Sequence, residues 1–273
     1  MARTLYLSDL DGTLLGSDQK VSRRTCEIIN RLTGKGMLFS CATARSRFSS
    51  GRALEGLSLT LPMIVYNGAF IQDCISGQVI SGHYIHPRQA KAILDWYILR
   101  DILPIVYSFI DAHERFSYVP DKSCRSLLDF VATRKGDPRT RITDVDGLGE
   151  GDIFYITAMG DEALLQEARD TFSPMDNLGT LYYREIYSGE YWLELMHARA
   201  NKADAALLLK EKLGCDRLVC FGDSINDLPM FRVADRCFAT ANADPRLKEA
   251  ATEVIGSNDE DAVALWLEQY GEF

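Results

Sequence analysis

Short apolar runs alternate along this chain with stretches whose apolar residues recur every three or four positions. Leu5 to Leu10 is the first run and ends in an acidic turn. Val21, Ile28, Ile29 and Leu32 follow at helical spacing, and Gly34 and Gly36 close that pattern. Met37 to Ala42 predicts a second buried strand, Ser46 to Leu54 a helix, and Pro62 to Tyr66 a third strand stopping at Asn67-Gly68. Such alternation predicts a parallel sheet with right-handed crossovers. The C-terminal third resumes the rhythm. Asn201 to Leu213 reads as a helix with Asn201 as N-cap and Asp204 near its third position, and Arg217 to Phe221 as the next strand. Helices at Asn226 to Val233, Pro245 to Ala250 and Asp259 to Tyr270 then alternate with strands at Cys237 to Ala239 and Glu253 to Ile255.

The middle of the chain, from about residue 84 to about 190, has another texture. Helical patterns at Arg88 to Arg100 and Asp161 to Phe172 are set among strand-like runs at Leu103 to Ile110, Arg115 to Val119, Ile153 to Ala158, Leu181 to Tyr187 and Tyr191 to Met196. Strands joined by turns such as Ser188-Gly189-Glu190 predict an antiparallel sheet with two helices. The expected fold class is therefore α/β. A Rossmann-like, doubly wound parallel-sheet core from residues 1–83 and 191–273 carries an inserted α+β cap, residues 84–190. No internal repeat or low-complexity tract interrupts this plan.

Composition narrows the partners. The 273 residues carry Lys+Arg 30 against Asp+Glu 39, a net charge of −9, which disfavours nucleic acid and anionic membranes and leaves a small soluble ligand as the expected partner. Hydrophobic residues at 47% and charged residues at 25% exclude the disordered regime. No apolar run approaches the roughly 18–20 residues of a membrane span, and the opening MARTLYLSDLDG turns acidic at once, so a cytoplasmic protein is expected. The seven cysteines are widely spaced, with no CxxC signature, and read as reduced thiols.

The sharpest chemical signal is Asp9-Leu10-Asp11-Gly12-Thr13, at the end of the first strand. Four fixed residues at roughly 5–7% each coincide by chance at about one site in 10⁵. In extended chain, residues i and i+2 share a face, so Asp9 and Asp11 leave the strand together. They do so at a strand's carboxyl end, where open α/β sheets bind ligands. An acidic hairpin turn would also contain Asp-Gly, but it needs neither the second Asp nor the strand end. The second signal, Phe221-Gly222-Asp223-Ser224-Ile225-Asn226-Asp227, again follows an apolar strand. Asp223 or Ser224 could simply cap the next helix, a role compatible with ligation. In one parallel sheet Asp9, Asp11, Asp223 and Asp227 would approach one another, and four like charges require a cation. Mg²⁺, with its hard oxygen ligands and retained waters, suits a site that also receives phosphate.

These two motifs, in this order and separated by an insertion, resemble the haloacid dehalogenase superfamily of phosphohydrolases, in its Cof-type branch with a type IIB cap. The resemblance extends over nearly the whole chain. It implies that Asp9 is the nucleophile and Asp11 the general acid/base. Thr43, in Cys41-Ala42-Thr43-Ala44-Arg45, matches the family's second motif, Lys202 its lysine motif, and Asp223, Asn226 and Asp227 its fourth. It further implies Mg²⁺ on Asp9, Asp11 through its main-chain carbonyl, Asp223 and Asp227, and a phosphate site drawn from Gly12, Thr43, Ala44, Asn67, Lys202 and Asn226. Asn242-Ala243 also fits this branch. Three positions depart from the family pattern: Ala44 and Ala203 stand where Gly is usual, and Asp261-Ala262-Val263 where Asp/Gly-Gly-Val is common.

The residue types support those roles chemically. A carboxylate can attack phosphorus and split one displacement into two. A second can protonate the leaving oxygen and later deprotonate water. Thr43 and neighbouring amides can bind phosphoryl oxygens, Lys202 adds positive charge near Asp9, and Asn226 can position Lys202 or a phosphoryl oxygen. Asp227 can accept from metal-bound water or orient its neighbours. His83 and His86 lack a third ligand at zinc spacing. The aromatic stretch Tyr182, Tyr183, Tyr187, Tyr191 and Trp192 reads as packing. Glu194, alternating with Leu193 and Leu195, faces either a cleft or solvent.

The expected function is a Mg²⁺-dependent phosphatase acting on small phosphate monoesters, sugar phosphates or related metabolites, through an aspartyl phosphate, with the cap choosing the substrate. A phosphomutase would return the phosphoryl group to a sugar hydroxyl. A non-catalytic sensor of a phosphometabolite, or of phosphorylated Asp9, would not need Asp11. A glycosyltransferase using its DxD with Mn²⁺ would leave the Gly222 to Asp227 motif unexplained.

Overall fold

The structure is a computed structural model and describes residues 2–184 and 189–272. Two compact units divide it, one from residues 1–82 and 200–273 and the other from residues 83–199.

The first unit opens with β1 (Thr4–Ser8), buried at every position, as a central strand covered on both faces must be. Helix α1 (Arg23–Thr33) starts where the Ser22 hydroxyl accepts the Thr25 N–H, and it buries Ile28, Ile29 and Leu32. Strand β2 (Leu38–Cys41) and helix α2 (Arg47–Ala53) follow, the latter capped by the Ser46 hydroxyl. The third predicted strand forms as β3 (Met63–Val65) but leaves the main sheet. It pairs antiparallel with β4 (Phe70–Gln72), which pairs with β5 (Val79–Gly82), and an Ala42–Ile64 bridge ties β3 to the end of β2.

The second unit runs through α3 (Pro87–Ile98), β6 (Ile105–Ile110), β7 (His113–Tyr118), α4 (Arg125–Ala132), β8 (Thr140–Ile142), β9 (Asp152–Gly160), α5 (Glu162–Phe172), β10 (Leu178–Arg184) and β11 (Tyr191–His197). Its six-stranded sheet has the order β10-β11-β9-β6-β7-β8, antiparallel except for the last pair. Helices α3 and α5 cover one face, where Ile93, Leu94, Tyr97, Leu165 and Phe172 meet Val106, Ile156, Leu193 and Leu195 in one apolar core. The sequence boundaries need one correction. Strand β11, expected in the core segment 191–273, is hydrogen-bonded between β10 and β9, so the inserted unit ends at Arg199 and not at residue 190. Its start at His83 lies one residue before the expected one. The unit also holds a third helix, α4. Tyr187 and Ser188, which sequence placed in a strand and its turn, lie outside the described residues.

The chain then resumes the first unit with α6 (Lys202–Lys212), β12 (Arg217–Gly222), α7 (Leu228–Val233), β13 (Arg236–Ala239), α8 (Pro245–Ala250), β14 (Glu253–Val254) and α9 (Ala262–Tyr270). The main sheet is wholly parallel, in the order β14-β13-β12-β1-β2. Leu5, Leu7, Leu218 and Cys220 pack with Ala205, Leu209, Met230 and Phe231 of α6 and α7. Tyr6, Phe221 and Phe238 lie against Trp266 of α9. Among the described residues no helix is long and apolar enough to cross a membrane.

Candidate active site

The strand order puts β1 beside β12, so the chain leaves both strands at the same sheet edge. Asp9 is the residue after β1, and its N–H still bonds the Phe221 carbonyl at 3.0 Å, extending the ladder. Gly12 then turns the chain with φ +72°, a conformation that disfavours side chains, and a Cβ there would lie 2.4 Å from Asp223 Oδ2. Its carbonyl accepts from Asn242 Nδ2 at 2.8 Å and Thr240 Oγ1 at 3.2 Å. Thr13, unassigned by sequence reasoning beyond its place in the motif, donates its hydroxyl to Asp223 Oδ1 at 2.9 Å.

Asp9, Asp223 and Asp227 converge, each offering a carboxylate oxygen within 4.8 Å of the others. Lys202, only 1% exposed, donates to Asp9 Oδ1 at 2.6 Å and to Asp227 Oδ1 at 2.7 Å. Its third N–H has no partner among the described residues. Asp227 is fully engaged: its Oδ2 accepts the N–H groups of Asp223 and Ser224, both at 3.1 Å. The capping role and the acidic cluster thus coexist, and Asp227 serves as a rigid acceptor that holds Lys202 and the turn. Gly222 must lack a side chain because a Cβ would meet Asp227 at 2.7 Å.

The charges explain one another. Burial raises the Asp9 carboxyl well above its ordinary range, with the Asp227 and Asp223 carboxylates adding to the rise and Lys202 opposing it. Asp223 is pushed up to about 6 by burial and by Asp227, against its bonds to Thr13 and the pull of Lys202. For Lys202 burial acts downward, but Asp227 and Asp9 outweigh it and keep the ammonium protonated. Three carboxylates facing one ammonium leave uncompensated negative charge in a hard-oxygen setting, a donor set that fits a divalent cation such as Mg²⁺.

Asp11 is not in that cluster. Its carboxylate receives a two-pronged grip from Arg45, with Nε to Oδ2 at 2.7 Å and Nη2 to Oδ1 at 2.5 Å, and it is about half exposed. Sequence quoted Arg45 beside Thr43 but gave it no role. Thr43 is buried at the end of the second strand, its hydroxyl accepting the Arg45 N–H at 3.0 Å. Ala44 is exposed and is not among the residues with left-handed φ, so its replacement of the family's Gly strains nothing. Asn67 is buried with φ +53°; its N–H bonds the Thr43 carbonyl at 2.9 Å, and its Oδ1 accepts from Asn226 Nδ2 at 3.0 Å. Asn226 therefore contacts Asn67 and makes no hydrogen bond to Lys202. Its own Oδ1 is shielded from solvent without a partner.

A parallel sheet gathers this acidic, lysine-bound cluster at one set of strand ends, and a second α/β unit interrupts the sheet's sequence. The model of the haloacid dehalogenase-like hydrolases matches residues 6–267, and the chain belongs to that family. The fold is shared with BT4131, a sugar phosphatase of HAD subclass IIB, at a TM-score of 0.75 and 18% identity, covering 98% of this chain and 99% of the other. A 5-amino-6-(5-phospho-D-ribitylamino)uracil phosphatase of Bacillus subtilis, YwtE, is 28% identical over 96% of each chain. An HMP-PP phosphatase of Cronobacter sakazakii is 29% identical over 98% of this chain and 95% of its own. The structure of TM0651 from Thermotoga maritima superposes with a TM-score of 0.81 at 23% identity, covering 100% of this chain and 99% of the other, which establishes the shared fold. The chain is thus a hydrolase of the haloacid dehalogenase-like family, and the two relatives are phosphatases by name.

Proposed function

We propose that the chain is a Mg²⁺-dependent phosphomonoesterase that works through an aspartyl phosphate on Asp9. The observation that carries this reading is the buried Asp9 carboxylate, one oxygen held by Lys202 and the side chain set beside Asp223 at the strand edge. Asp9 attacks phosphorus, the P–O bond to the organic group breaks, and Asp11 supplies the proton that makes the leaving oxygen an alcohol. Water then attacks the phosphoaspartate, Asp11 takes its proton back, and inorganic phosphate leaves with Asp9 restored. Asp9, the main-chain carbonyl of Asp11 and Asp223 would hold the Mg²⁺, which would offset the repulsion between nucleophile and phosphate. Lys202 fixes the attacking carboxylate and keeps one N–H for a phosphoryl oxygen, while Thr43 and the Ala44 amide supply further donors. Asp11 can serve as acid only when it is released from Arg45, so that pair must open in the working cycle.

The inserted unit, residues 83–199, supplies in this reading the side chains that choose the organic group. Relatives named for a phosphoribitylamino-uracil and for HMP-PP support small, soluble phosphorylated metabolites as the substrate class. All seven cysteines are unpaired, which supports a reducing compartment such as the cytoplasm. The test is phosphate release from 4-nitrophenyl phosphate and from a panel of metabolite phosphates with Mg²⁺. Release by the parent protein and none by Asp9→Asn of unchanged thermal stability is expected. Near-parental release by Asp9→Asn would refute the mechanism.

A further inference from the structure

Strand β13 ends at Ala239, and the segment from Thr240 to Asp244 that follows it touches both acidic loops of the first unit. Gly12, in the turn after Asp9 and Asp11, offers its carbonyl to the Thr240 hydroxyl at 3.2 Å and to Asn242 Nδ2 at 2.8 Å. On the other side the Thr240 N–H donates to the Gly222 carbonyl at 3.2 Å, and the Asp244 N–H to the Asp223 carbonyl at 2.8 Å. The segment thus reaches from the loop after β1 to the loop after β12 and meets each one beside its carboxylates. A second layer holds it. Asn242 Oδ1 accepts the Asn258 N–H at 3.2 Å, and Asn258 Nδ2 donates to the Leu15 carbonyl at 2.9 Å. A main-chain N–H only donates, so Asn242 must turn its oxygen to residue 258 and its amide donors to Gly12. Asn242 is exposed, and these two bonds set its direction.

Thr240 is wholly buried, and a buried hydroxyl needs a partner. Any nearby carbonyl would meet that need. Two side chains converging on one carbonyl oxygen do more, because they fix its position and not just one distance to it. The place they fix is under strain from charge: Asp9 and Asp223 are alike in sign, and their repulsion drives the two loops apart. Lys202 ties Asp9 to Asp227, and the Thr13 hydroxyl reaches Asp223. Mg²⁺ demands near-ideal octahedral geometry at about 2.0–2.1 Å, whereas Ca²⁺ accepts oxygens at about 2.3–2.6 Å in flexible arrangements. A site whose two loops drift apart therefore loses Mg²⁺ before it loses Ca²⁺.

We propose that Thr240 and Asn242 are positioning residues of the cation site, holding the turn that carries the Asp11 main-chain carbonyl in place against Asp223 and so preforming the spacing that Mg²⁺ requires. This rests on the Mg²⁺ reading above and extends it to residues outside the ligand set.

The experiment follows Mn²⁺ binding to the whole chain by electron paramagnetic resonance, without substrate and with Mg²⁺ and Ca²⁺ as competitors. Each ion then receives a Kd independent of turnover. Thr240→Val combined with Asn242→Leu keeps side-chain size and removes both donors to Gly12. In that variant the Kd for Mg²⁺ rises by about 10-fold or more and the Kd for Ca²⁺ by less than about threefold. Thr240→Ser, which keeps the hydroxyl and drops the methyl group, stays within about twofold of the parent for both ions. General destabilisation would weaken the two ions together and would strike Thr240→Ser as well. A Mg²⁺ Kd within about twofold of the parent in the double variant, equal losses for the two ions, or a Thr240→Ser as impaired as Thr240→Val overturns the proposal. If the double variant lacks an unfolding transition, Thr240→Val set against Thr240→Ser gives the same comparison. A parent that binds no Mn²⁺ overturns the Mg²⁺ reading and this proposal with it. A parent that binds Mn²⁺ but releases no phosphate from 4-nitrophenyl phosphate overturns the phosphatase reading alone, and the Kd values still decide the roles of Thr240 and Asn242.

Discussion

Lys202 is a buried ammonium whose protonation depends on two carboxylates, and the dependence is mutual. Lys202→Met would leave Asp9, Asp223 and Asp227 without their cation, and breaking a buried pair costs roughly 3–5 kcal/mol. Urea unfolding at pH 7 should register a loss of that order, and the loss should shrink at pH 5 as the carboxyls take up protons. Asp223 gives a second pH prediction. Its carboxyl titrates at about 6 in the folded chain against 3.8 unperturbed, so the folded state holds that proton more tightly. Its stabilisation is complete below about pH 4 and is lost as pH rises through 6, a change of up to about 3 kcal/mol. In chelator, the thermal midpoint should therefore fall across that window; Mg²⁺ should restore it above pH 6, and Asp223→Asn should flatten the fall. Sequence located Asp9, Asp223, Asp227 and Lys202 because strand ends and helix starts are local patterns. It could not pair Arg45 with Asp11, since that contact spans 34 residues and depends on how two loops fold. Nor could it give Glu194 a direction, because alternation specifies two faces without saying what lies on each.

At the scale of elements, the start of α6 is fixed by two interlocking details. Asn201 accepts the Asp204 N–H at 2.9 Å, the cap expected from sequence, and Gly68 packs against the Asn201 backbone so closely that a Cβ would lie 2.2 Å from its carbonyl oxygen. Gly68 also has φ +101°, where a side chain is strained. Gly68→Ala should push the first turn of α6 outward and carry Lys202 away from Asp9. Phosphate release is expected to drop by at least about 10-fold with a smaller loss of thermal stability, a separation visible by assaying both on one preparation. The elements that sequence missed share a cause. Helix α4 has 8 residues, β4 has 3, β5 has 4 and β8 has 3, too few for a periodicity to declare itself. Strand β3 was found, but its apolar run matched a parallel-sheet strand equally well, and only the antiparallel partner β4 decided its sheet.

The whole molecule is two folding cores threaded by one chain. Residues 83–199 form a continuous segment with a core of their own, centred on Tyr97, Leu165, Phe172, Leu193 and Leu195. That segment, produced alone, should unfold in a single cooperative transition by circular dichroism; a gradual, non-cooperative loss of signal would contradict this. The discontinuous unit was legible in sequence because its strand and helix rhythm stops and resumes. The second junction was misjudged because β11 is as apolar as a core strand, and only its hydrogen-bond partners reveal which sheet owns it.

The chain crosses between units twice, at Gly82/His83 and at Arg199/Ala200. Asp9, Thr43, Asn67, Lys202 and Asp223 all fall outside the segment those junctions enclose. On the proposed reading, in which the inserted unit chooses the organic group, a graft at these two peptide bonds would exchange that choice while leaving Asp9, Lys202 and Asp223 on their original scaffold. Substrate preference could therefore drift across generations by rewriting 117 consecutive residues, under no obligation to reinvent the chemistry.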